Sequence, residues 1–420
     1  MTRTLTDWLN ELEASHPPSG IELGLTRMKT MLSRLDLRFE VPVIIVGGTN
    51  GKGSTCLMLE SIYRASGRRV ATHTSPHMLR FNERARFNGQ ELDDETLAAG
   101  FAAVEAARGD MPLTYFEFTA LAILWAFKRL KPDVVILEIG LGGRLDAINA
   151  LDPEASIVTT VDVEHETFLG TTREAVGWEK AHIYRKGKCA VCADDHPPEK
   201  LIAVAFDMGA DLLLKGRDFY AEKVAHGMRF TYRGYTVDLP EPAMFGVNQI
   251  DNAAGALAVV YSLLKRLPVT VDDIAQGLRT AKLPGRFEKI ADSPLVIVDV
   301  GHNPHAARVL VKNLEASRVP GKTYAVFGML KDKDMSKVVE LVAPEIDAWF
   351  VSGLPGVRGA SEDELVRAML QAGVTQDAIT READIPRAFE KAKEAARPED
   401  RILVFGSFVT VTAFLEKGLA

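Results

Sequence analysis

One stretch constrains this chain more than any other: Val-Ile-Ile-Val-Gly-Gly-Thr-Asn-Gly-Lys-Gly-Ser, from Val43 to Ser54. The apolar, β-branched run Val41 to Val46 reads as a buried strand. The glycine-rich stretch Gly47 to Gly53 follows it. A helix is expected from near Ser54, with Met58, Leu59, Ile62 and Tyr63 on one face and its end at Gly67. Glycines let backbone N–H groups converge on phosphate oxygens, and a helix N-terminus adds positive potential. Lys52 can then reach the outer phosphates, and the Ser54 hydroxyl can ligate Mg2+. The spelling departs from the usual Walker pattern, because Val46 stands where its first glycine would be and Gly53 separates Lys52 from Ser54. Strand, turn, lysine, hydroxyl and helix nevertheless coincide, which a plain strand-to-helix turn does not require.

Around that loop the chain alternates. Strand-like runs are expected at Val134–Ile139 and Ser156–Val161, and helical patterns at Leu5–Leu12, Met28–Leu35, Leu97–Ala107, Phe116–Leu130, Arg173–Tyr184 and Asn252–Leu264. Alternating β and α predicts a mostly parallel sheet covered by helices. Phe219 to Leu239 differs, with short alternating stretches around Gly227 and Gly234, and reads as a small antiparallel insertion. A boundary is expected near Leu283-Pro284-Gly285-Arg286. The alternation then restarts, with strands near Leu295, Tyr324, Ala348 and Ile402. The expectation is therefore an α/β protein of two domains, 1–285 and 286–420.

The whole-chain figures exclude several classes. With 50 basic and 57 acidic side chains, the net charge of −7 is no nucleic-acid footprint. The longest apolar run of note, Phe118 to Phe127, is too short to span a bilayer, and the start lacks a signal-peptide core. Three cysteines make no secreted disulfide framework, so a reduced, cytoplasmic location is expected. Cys189 and Cys192 spell C-x-x-C in a strand-like run and are read as packing. No dedicated interface segment is visible, so a monomer is the default.

Several motifs recur in one order: Gly-Thr-Asn-Gly-Lys-Gly-Ser at 48–54, Thr-Ser-Pro-His at 74–77 leading into Arg-Phe-Asn-Glu-Arg at 80–84, and Thr-Tyr-Phe-Glu-Phe at 114–118. They continue with Glu-Ile-Gly-Leu-Gly-Gly-Arg-Leu-Asp-Ala at 138–147, Trp-Glu-Lys-Ala at 178–181 and Leu-Pro-Gly-Arg-Phe at 283–287. Asp-Val-Gly-His-Asn-Pro-His at 299–305, Phe-Gly-Met-Leu-Lys-Asp-Lys-Asp at 327–334 and Phe-Gly-Ser-Phe at 405–408 complete the set. In these the chain resembles, over essentially its whole length, the Mur ligase superfamily and within it the bifunctional dihydrofolate synthase/folylpolyglutamate synthase family. The resemblance implies a two-domain Mur-ligase-like fold, with an N-terminal P-loop ATPase domain and a C-terminal Rossmann-like α/β domain. It also implies a reaction. ATP phosphorylates a carboxylate to an acyl phosphate, and the amine of L-glutamate then displaces phosphate. The acceptors would be dihydropteroate, giving dihydrofolate, and the γ-carboxyl of reduced folates, giving polyglutamates.

The resemblance also assigns residues. Thr49, Asn50, Gly51, Lys52, Gly53 and Ser54 would hold ATP, together with Asn252 on the adenine side, Arg286 at the linker, and Asp299 and His302 from the C-terminal domain. Domain closure would complete that site. Two Mg2+ ions are expected. Ser75, Glu138 and His165 join Ser54 as ligands, and a carboxylate ending a buried strand, as Glu138 does, would otherwise be costly. Glu164-His165 stands where the family usually has Asp-His. Lys180 matches a lysine carried as an N-carboxylated side chain, which would help hold the second ion. Gly20, Ile21, Glu22 and Leu23, Thr114, Tyr115, Phe116 and Glu117, and Leu145, Asp146 and Ala147 match segments that hold dihydropteroate. Asp146 offers a pterin-compatible acceptor and Phe116 a stacking face, while Phe118 is read as core. Arg80 and Arg84 could meet a folate carboxylate or remain solvated loop charges. The nearest alternatives are a folylpolyglutamate synthase with one activity and a Mur-type ligase acting on a cell-wall nucleotide precursor. Further off stand a P-loop kinase or NTPase and a non-enzymatic nucleotide-binding module.

Overall fold

Short apolar runs of Val, Ile and Leu, each followed by a helical period, build two separate sheets in the computed structural model, which describes residues 3–15 and 22–418. Gly20 and Ile21, assigned to acceptor binding by resemblance, lie outside the described residues. The chain divides into Met1–Ala243 with Ile250–Lys282, and Met244–Gln249 with Leu283–Ala420. The division is thus not at one point, because a six-residue stretch ahead of the expected boundary goes with the second unit.

The first unit contains the strands β1 (Val43–Gly47), β2 (Val70–His73), β3 (Ala85–Phe87), β4 (Gln90–Glu91), β5 (Val134–Glu138), β6 (Ala155–Val158), β7 (Cys189–Cys192) and β8 (Asp211–Leu214). β9 (Phe219–Val224), β10 (Gly227–Tyr232) and β11 (Tyr235–Leu239) form the expected antiparallel insertion. Its helices are α1 (Leu5–Ser15), α2 (Thr26–Arg34), α3 (Lys52–Ala65), α4 (Asp94–Arg108), α5 (Tyr115–Leu130), α6 (Glu166–Leu169), α7 (Arg173–Ala181), α8 (Glu199–Met208), α9 (Gln249–Ser262) and α10 (Val271–Thr280). The large sheet has eight strands in the order β4-β3-β2-β5-β1-β6-β7-β8. Pairing is parallel from β2 to β8 and antiparallel at the β2–β3–β4 edge.

β1 is buried at every residue, which is why it reads as an unbroken apolar run rather than an alternating one. The connections lead from β1 towards β2 and β5 on one side and towards β6 on the other. The carboxyl ends of β1, β5, β2 and β6 therefore flank a point where strand order reverses, the usual place for a ligand in an open α/β sheet. One face is packed by Trp8, Phe101 and Phe118, with ring centres 5.7–6.4 Å apart, so Phe118 is core. Cys189 and Cys192, three residues apart in β7, point to opposite faces of the sheet and cannot share one ion.

The second unit has β12 (Glu288–Asp292), β13 (Leu295–Asp299), β14 (Thr323–Phe327), β15 (Ala348–Val351), β16 (Ile379–Arg381) and β17 (Arg401–Phe405). Helices α11 (Pro304–Ala316), α12 (Met335–Val342), α13 (Glu362–Gln371), α14 (Ile385–Ala395) and α15 (Phe408–Leu415) accompany them. The sheet order is β12-β13-β17-β14-β15-β16, parallel except for β12. Phe327, Trp349 and Phe405 form its aromatic centre. Among the described residues no helix is long and apolar enough to cross a membrane.

Candidate active site

The turn from β1 to α3 is built for close approach. Gly48 has φ +138°, and a Cβ there would lie 1.9 Å from Thr159 Oγ1. Gly51, at φ +85°, precedes the helix, and a Cβ on it would fall 2.4 Å from Asn252 Oδ1. Only glycine fits such positions. α3 starts at Lys52, two residues earlier than expected, because the left-handed Gly51 turns the chain directly into it. The loop is pinned from β6: the Thr49 amide donates to Thr160 O at 2.8 Å, and the Asn50 amide to Thr160 Oγ1 at 3.0 Å. Thr159 Oγ1 donates to Asn50 O at 2.6 Å. Lys52 folds back on its own loop, with Nζ 2.9 Å from Gly48 O and 3.0 Å from Thr49 O. Ser54 is buried in the first turn. Asn252, expected on the adenine side, stands against the phosphate turn at Gly51.

Glu138 ends β5 and is buried, and its Oε2 accepts the Ser75 amide at 3.0 Å. β2 delivers Ser75 to this place, since β2 and β5 run parallel side by side. A carboxylate supplies hard oxygen donors of the type Mg2+ prefers. Among the described residues no group of three or more His, Cys, Asp or Glu could hold a metal ion. Mg2+ commonly keeps several waters and takes phosphate oxygens beside one or two carboxylates. His165 is exposed and left-handed at φ +48°, ahead of α6. A non-glycine residue held there is uncommon and worth attention.

Lys180 on α7 is wholly buried, and its Nζ meets Glu164 Oε1 at 2.8 Å. Burial pushes the Lys180 ammonium below its ordinary pKa, with Glu164 opposing and Lys52 adding to the fall. Burial raises Glu164 in turn, but Lys180 and Lys52 beside it hold the carboxyl below its usual range.

The acceptor segments are brought together at one place: the Gly24 amide donates to Leu145 O at 3.3 Å, joining the 22–24 loop to 145–147. Asp146 is buried. Its Oδ2 accepts the Leu141 amide at 2.8 Å and its Oδ1 the Ile148 amide at 3.0 Å. Burial pushes its carboxyl up to about 6 against those amides. It therefore shapes the loop itself, with only its remaining lone pairs left for a ligand. Phe116 lies against the Gly140 turn, where a Cβ would meet its ring at 2.7 Å. Tyr115 and Ala147 are buried, and Leu145 is half-buried.

Glu117 has a structural task in its segment. Its carboxylate accepts the Thr114 amide at 2.9 Å and Arg27 Nε at 3.0 Å, so it caps α5 and ties α2 to it. Thr114 is the reciprocal N-cap. Glu22 is exposed and pairs with the same Arg27. Leu23 is exposed, and so is Arg80, which is bound to Glu91 at 2.7 Å.

In the second unit, Asp299 ends β13. Its carboxylate accepts the Phe287 amide at 2.9 Å and the Gly301 amide at 2.7 Å. Burial raises its carboxyl, opposed by Arg286. The Arg286 guanidinium lies 5.3 Å over the Phe408 ring, which also stands 6.1 Å from His302. The expected trio is thus gathered at one strand end.

Sequence reasoning missed Thr159 and Thr160, which hold the phosphate loop from 109 and 110 residues away, as no local pattern marks them. Glu164 was visible only as a departure from Asp-His, although it is the partner of Lys180.

Comparison with known proteins agrees with this arrangement. The Mur ligase middle domain matches residues 46–260, and the Mur ligase glutamate ligase domain matches residues 285–408. The dihydrofolate synthase/folylpolyglutamate synthase of Escherichia coli K12 is 40% identical over 414 residues, 98% of this chain and 95% of that one. E. coli FolC, solved with DHPP and ADP, superposes with a TM-score of 0.93 at 39% identity, covering 99% of this chain and 97% of that one. A bifunctional folylpolyglutamate synthase/dihydrofolate synthase solved with Mn, AMPPNP and L-glutamate gives 0.92 at 40% identity, covering 100% and 99%.

Proposed function

The chain belongs to the dihydrofolate synthase/folylpolyglutamate synthase family of Mur ligases, and from that premise we propose how its residues carry the reaction. It is an ATP-dependent ligase. L-glutamate is joined to dihydropteroate, giving dihydrofolate, and to the γ-carboxyl of folates, giving polyglutamates. One observation carries the assignment of residues. The phosphate loop, the Ser75–Glu138 pair and the 159–160 threonines all lie at the carboxyl ends of adjacent strands β1, β2, β5 and β6.

ATP would lie on the Gly48–Ser54 turn, its phosphates facing the loop amides and the α3 N-terminus. Lys52 would then exchange its two carbonyl partners for phosphate oxygens and stabilise charge on the transferring group. Ser54, Ser75, Glu138 and His165 would hold Mg2+, proposed at two sites, whose chemistry is to neutralise phosphate charge and align the displacement. Gly24, Leu145 and the loop shaped by Asp146 would seat the pterin end, with Phe116 as a wall. The acceptor carboxylate attacks the γ-phosphorus, giving an acyl phosphate and ADP. The glutamate amine then attacks the acyl carbon, loses a proton and expels phosphate. Lys180 is proposed as an N-carboxylated residue in the working enzyme. Only a neutral amine can attack CO2, and burial that depresses the ammonium favours that form. Arg286, Asp299 and His302 are proposed as the second unit's nucleotide contacts. A cytoplasmic monomer is part of the proposal and rests on composition and on three unpaired cysteines.

The test is ADP release by purified protein with ATP, Mg2+ and glutamate, adding dihydropteroate in one arm and tetrahydrofolate in another, with products weighed by mass spectrometry. Glutamate-dependent turnover is expected in both arms. Turnover with tetrahydrofolate alone would leave a single-activity folylpolyglutamate synthase.

A further inference from the structure

The loop that carries Ser75 also carries two arginines, and the structure treats them differently. Arg80 is exposed and ion-paired to Glu91. Arg84 is buried, and among the described residues no carboxylate comes within ion-pairing distance of it. Its Nε donates to His77 Nδ1 at 2.7 Å. The guanidinium lies 5.7 Å from the Phe81 ring centre and 5.9 Å from that of Tyr115. Neither Nη is hydrogen-bonded to a described residue. The backbone behind it is fixed, since Arg84 O accepts from His73 Nδ1 at 2.7 Å and from the Thr74 amide at 3.3 Å.

Desolvation of the Arg84 guanidinium is opposed at longer range by Tyr115, Glu138, Glu83 and Glu13, and the two aromatic faces return part of its cost. The two Nη groups of Arg84 are left to take a bidentate anion. The position says which one. Tyr115 opens α5 in the acceptor-binding segment, and the backbone of Arg84 is bonded to Thr74, next to the Ser75 that binds Glu138. Dihydropteroate has a single carboxylate, the one that reacts. An arginine serving both acceptors at one place must meet that group. The planar guanidinium fork matches a carboxylate with two parallel bonds.

We propose that Arg84 binds the reacting carboxylate of the acceptor, the benzoate of dihydropteroate or the γ-carboxylate of a folate, through its two Nη groups. The proposal rests on the ligase reading above. It makes Arg84, and not Arg80, the residue that selects an acid at this site.

The experiment compares binding of dihydropteroate and of its carboxamide to the wild type, Arg84→Gln and Arg84→Lys, with ATP affinity measured alongside. The wild type is expected to prefer the acid by about tenfold or more. Arg84→Gln should lose that preference while its ATP affinity stays unchanged. Arg84→Lys, which keeps the charge but not the fork, should retain part of it and carries the comparison if the glutamine variant folds poorly. A wild-type preference surviving in either variant overturns the assignment of Arg84 alone. A wild type that binds neither compound overturns the ligase reading and this assignment together.

Discussion

The Nζ of Lys180 lies 2.8 Å from Oε1 of Glu164, with the lysine side chain 1% exposed. The pair belongs to the unmodified lysine, because a carbamate at Nζ would carry a negative charge and repel Glu164. Carboxylation therefore exchanges one interaction for another: amine and CO2 give carbamate and a proton, and the Glu164 contact is given up.

Lys180→Met is expected to lower turnover by about a hundredfold or more while ATP affinity changes little, since Lys180 lies outside the phosphate loop. Measured against the unmodified lysine, it also takes this partner from Glu164, at a cost of about 3–5 kcal/mol. The Lys180→Met/Glu164→Gln double variant should recover most of that stability and none of the activity. Isotopically labelled bicarbonate should give a carbamate signal in the wild type that both variants lack. Full activity in a variant without that signal would dismiss the carbamate.

A second expectation concerns pH. Asp146 has a carboxyl pushed up to about 6, above the ordinary 3.8. The folded protein therefore binds this proton more tightly than the unfolded chain. The stability it contributes is full below about pH 4 and is lost as pH rises through about 6. Asp146→Asn has no such titration. Going from neutral pH to about 4, the wild type should gain on the variant by about 3 kcal/mol at most, read as the difference between their unfolding free energies. A difference independent of pH would mean that the carboxylate is not desolvated as the structure has it.

How far the site was legible follows from how local each signal is. The phosphate loop lies in twelve consecutive residues, so strand, turn and lysine could be read directly. The four-residue β2, which delivers Ser75, has no comparable signature, since it follows two arginines and alternates only once. Arg80 and Arg84 sit in one polar loop, and nothing in their local pattern ranks one above the other. Only packing distinguishes the one paired with Glu91 from the one buried between Phe81 and Tyr115. Asp146 and Glu117 look like ligands by type, yet both spend oxygens on nearby backbone amides, a use that spacing does not announce. Asn252 leans on Gly51 across two hundred residues, a contact that exists only once the sheet is assembled.

The Gly51–Asn252 contact gives the third prediction. Gly51→Ala places a Cβ 2.4 Å from Asn252 Oδ1 and holds alanine at φ +85°. The left-handed conformation alone costs about 1–2 kcal/mol, and moving Asn252 disturbs the phosphate turn. ATP affinity should fall by about tenfold or more. Adding Asn252→Ala should relieve the clash and return part of the folding stability, leaving the φ strain in place. Calorimetric titration with ATP and thermal unfolding separate the two contributions. Wild-type ATP affinity in Gly51→Ala would show that this turn does not carry the phosphates.

The last prediction isolates the charge of Glu138. Glutamine is nearly isosteric with glutamate, and its carbonyl oxygen can still accept the Ser75 amide now held at 3.0 Å by Oε2. Glu138→Gln should therefore keep the β2–β5 corner and the unfolding temperature close to wild type. What it removes is the negative charge buried at the strand end, the feature a bound Mg2+ would draw on. The Mg2+ concentration for half-maximal turnover should rise by about tenfold or more, and a chelator should silence the wild type reversibly. Mn2+, found with AMPPNP in a bifunctional relative of known structure, should restore it. If Glu138→Gln kept the wild-type Mg2+ dependence, Glu138 would be a structural residue bound to Ser75, and the cation would have to be held by the nucleotide and Ser54.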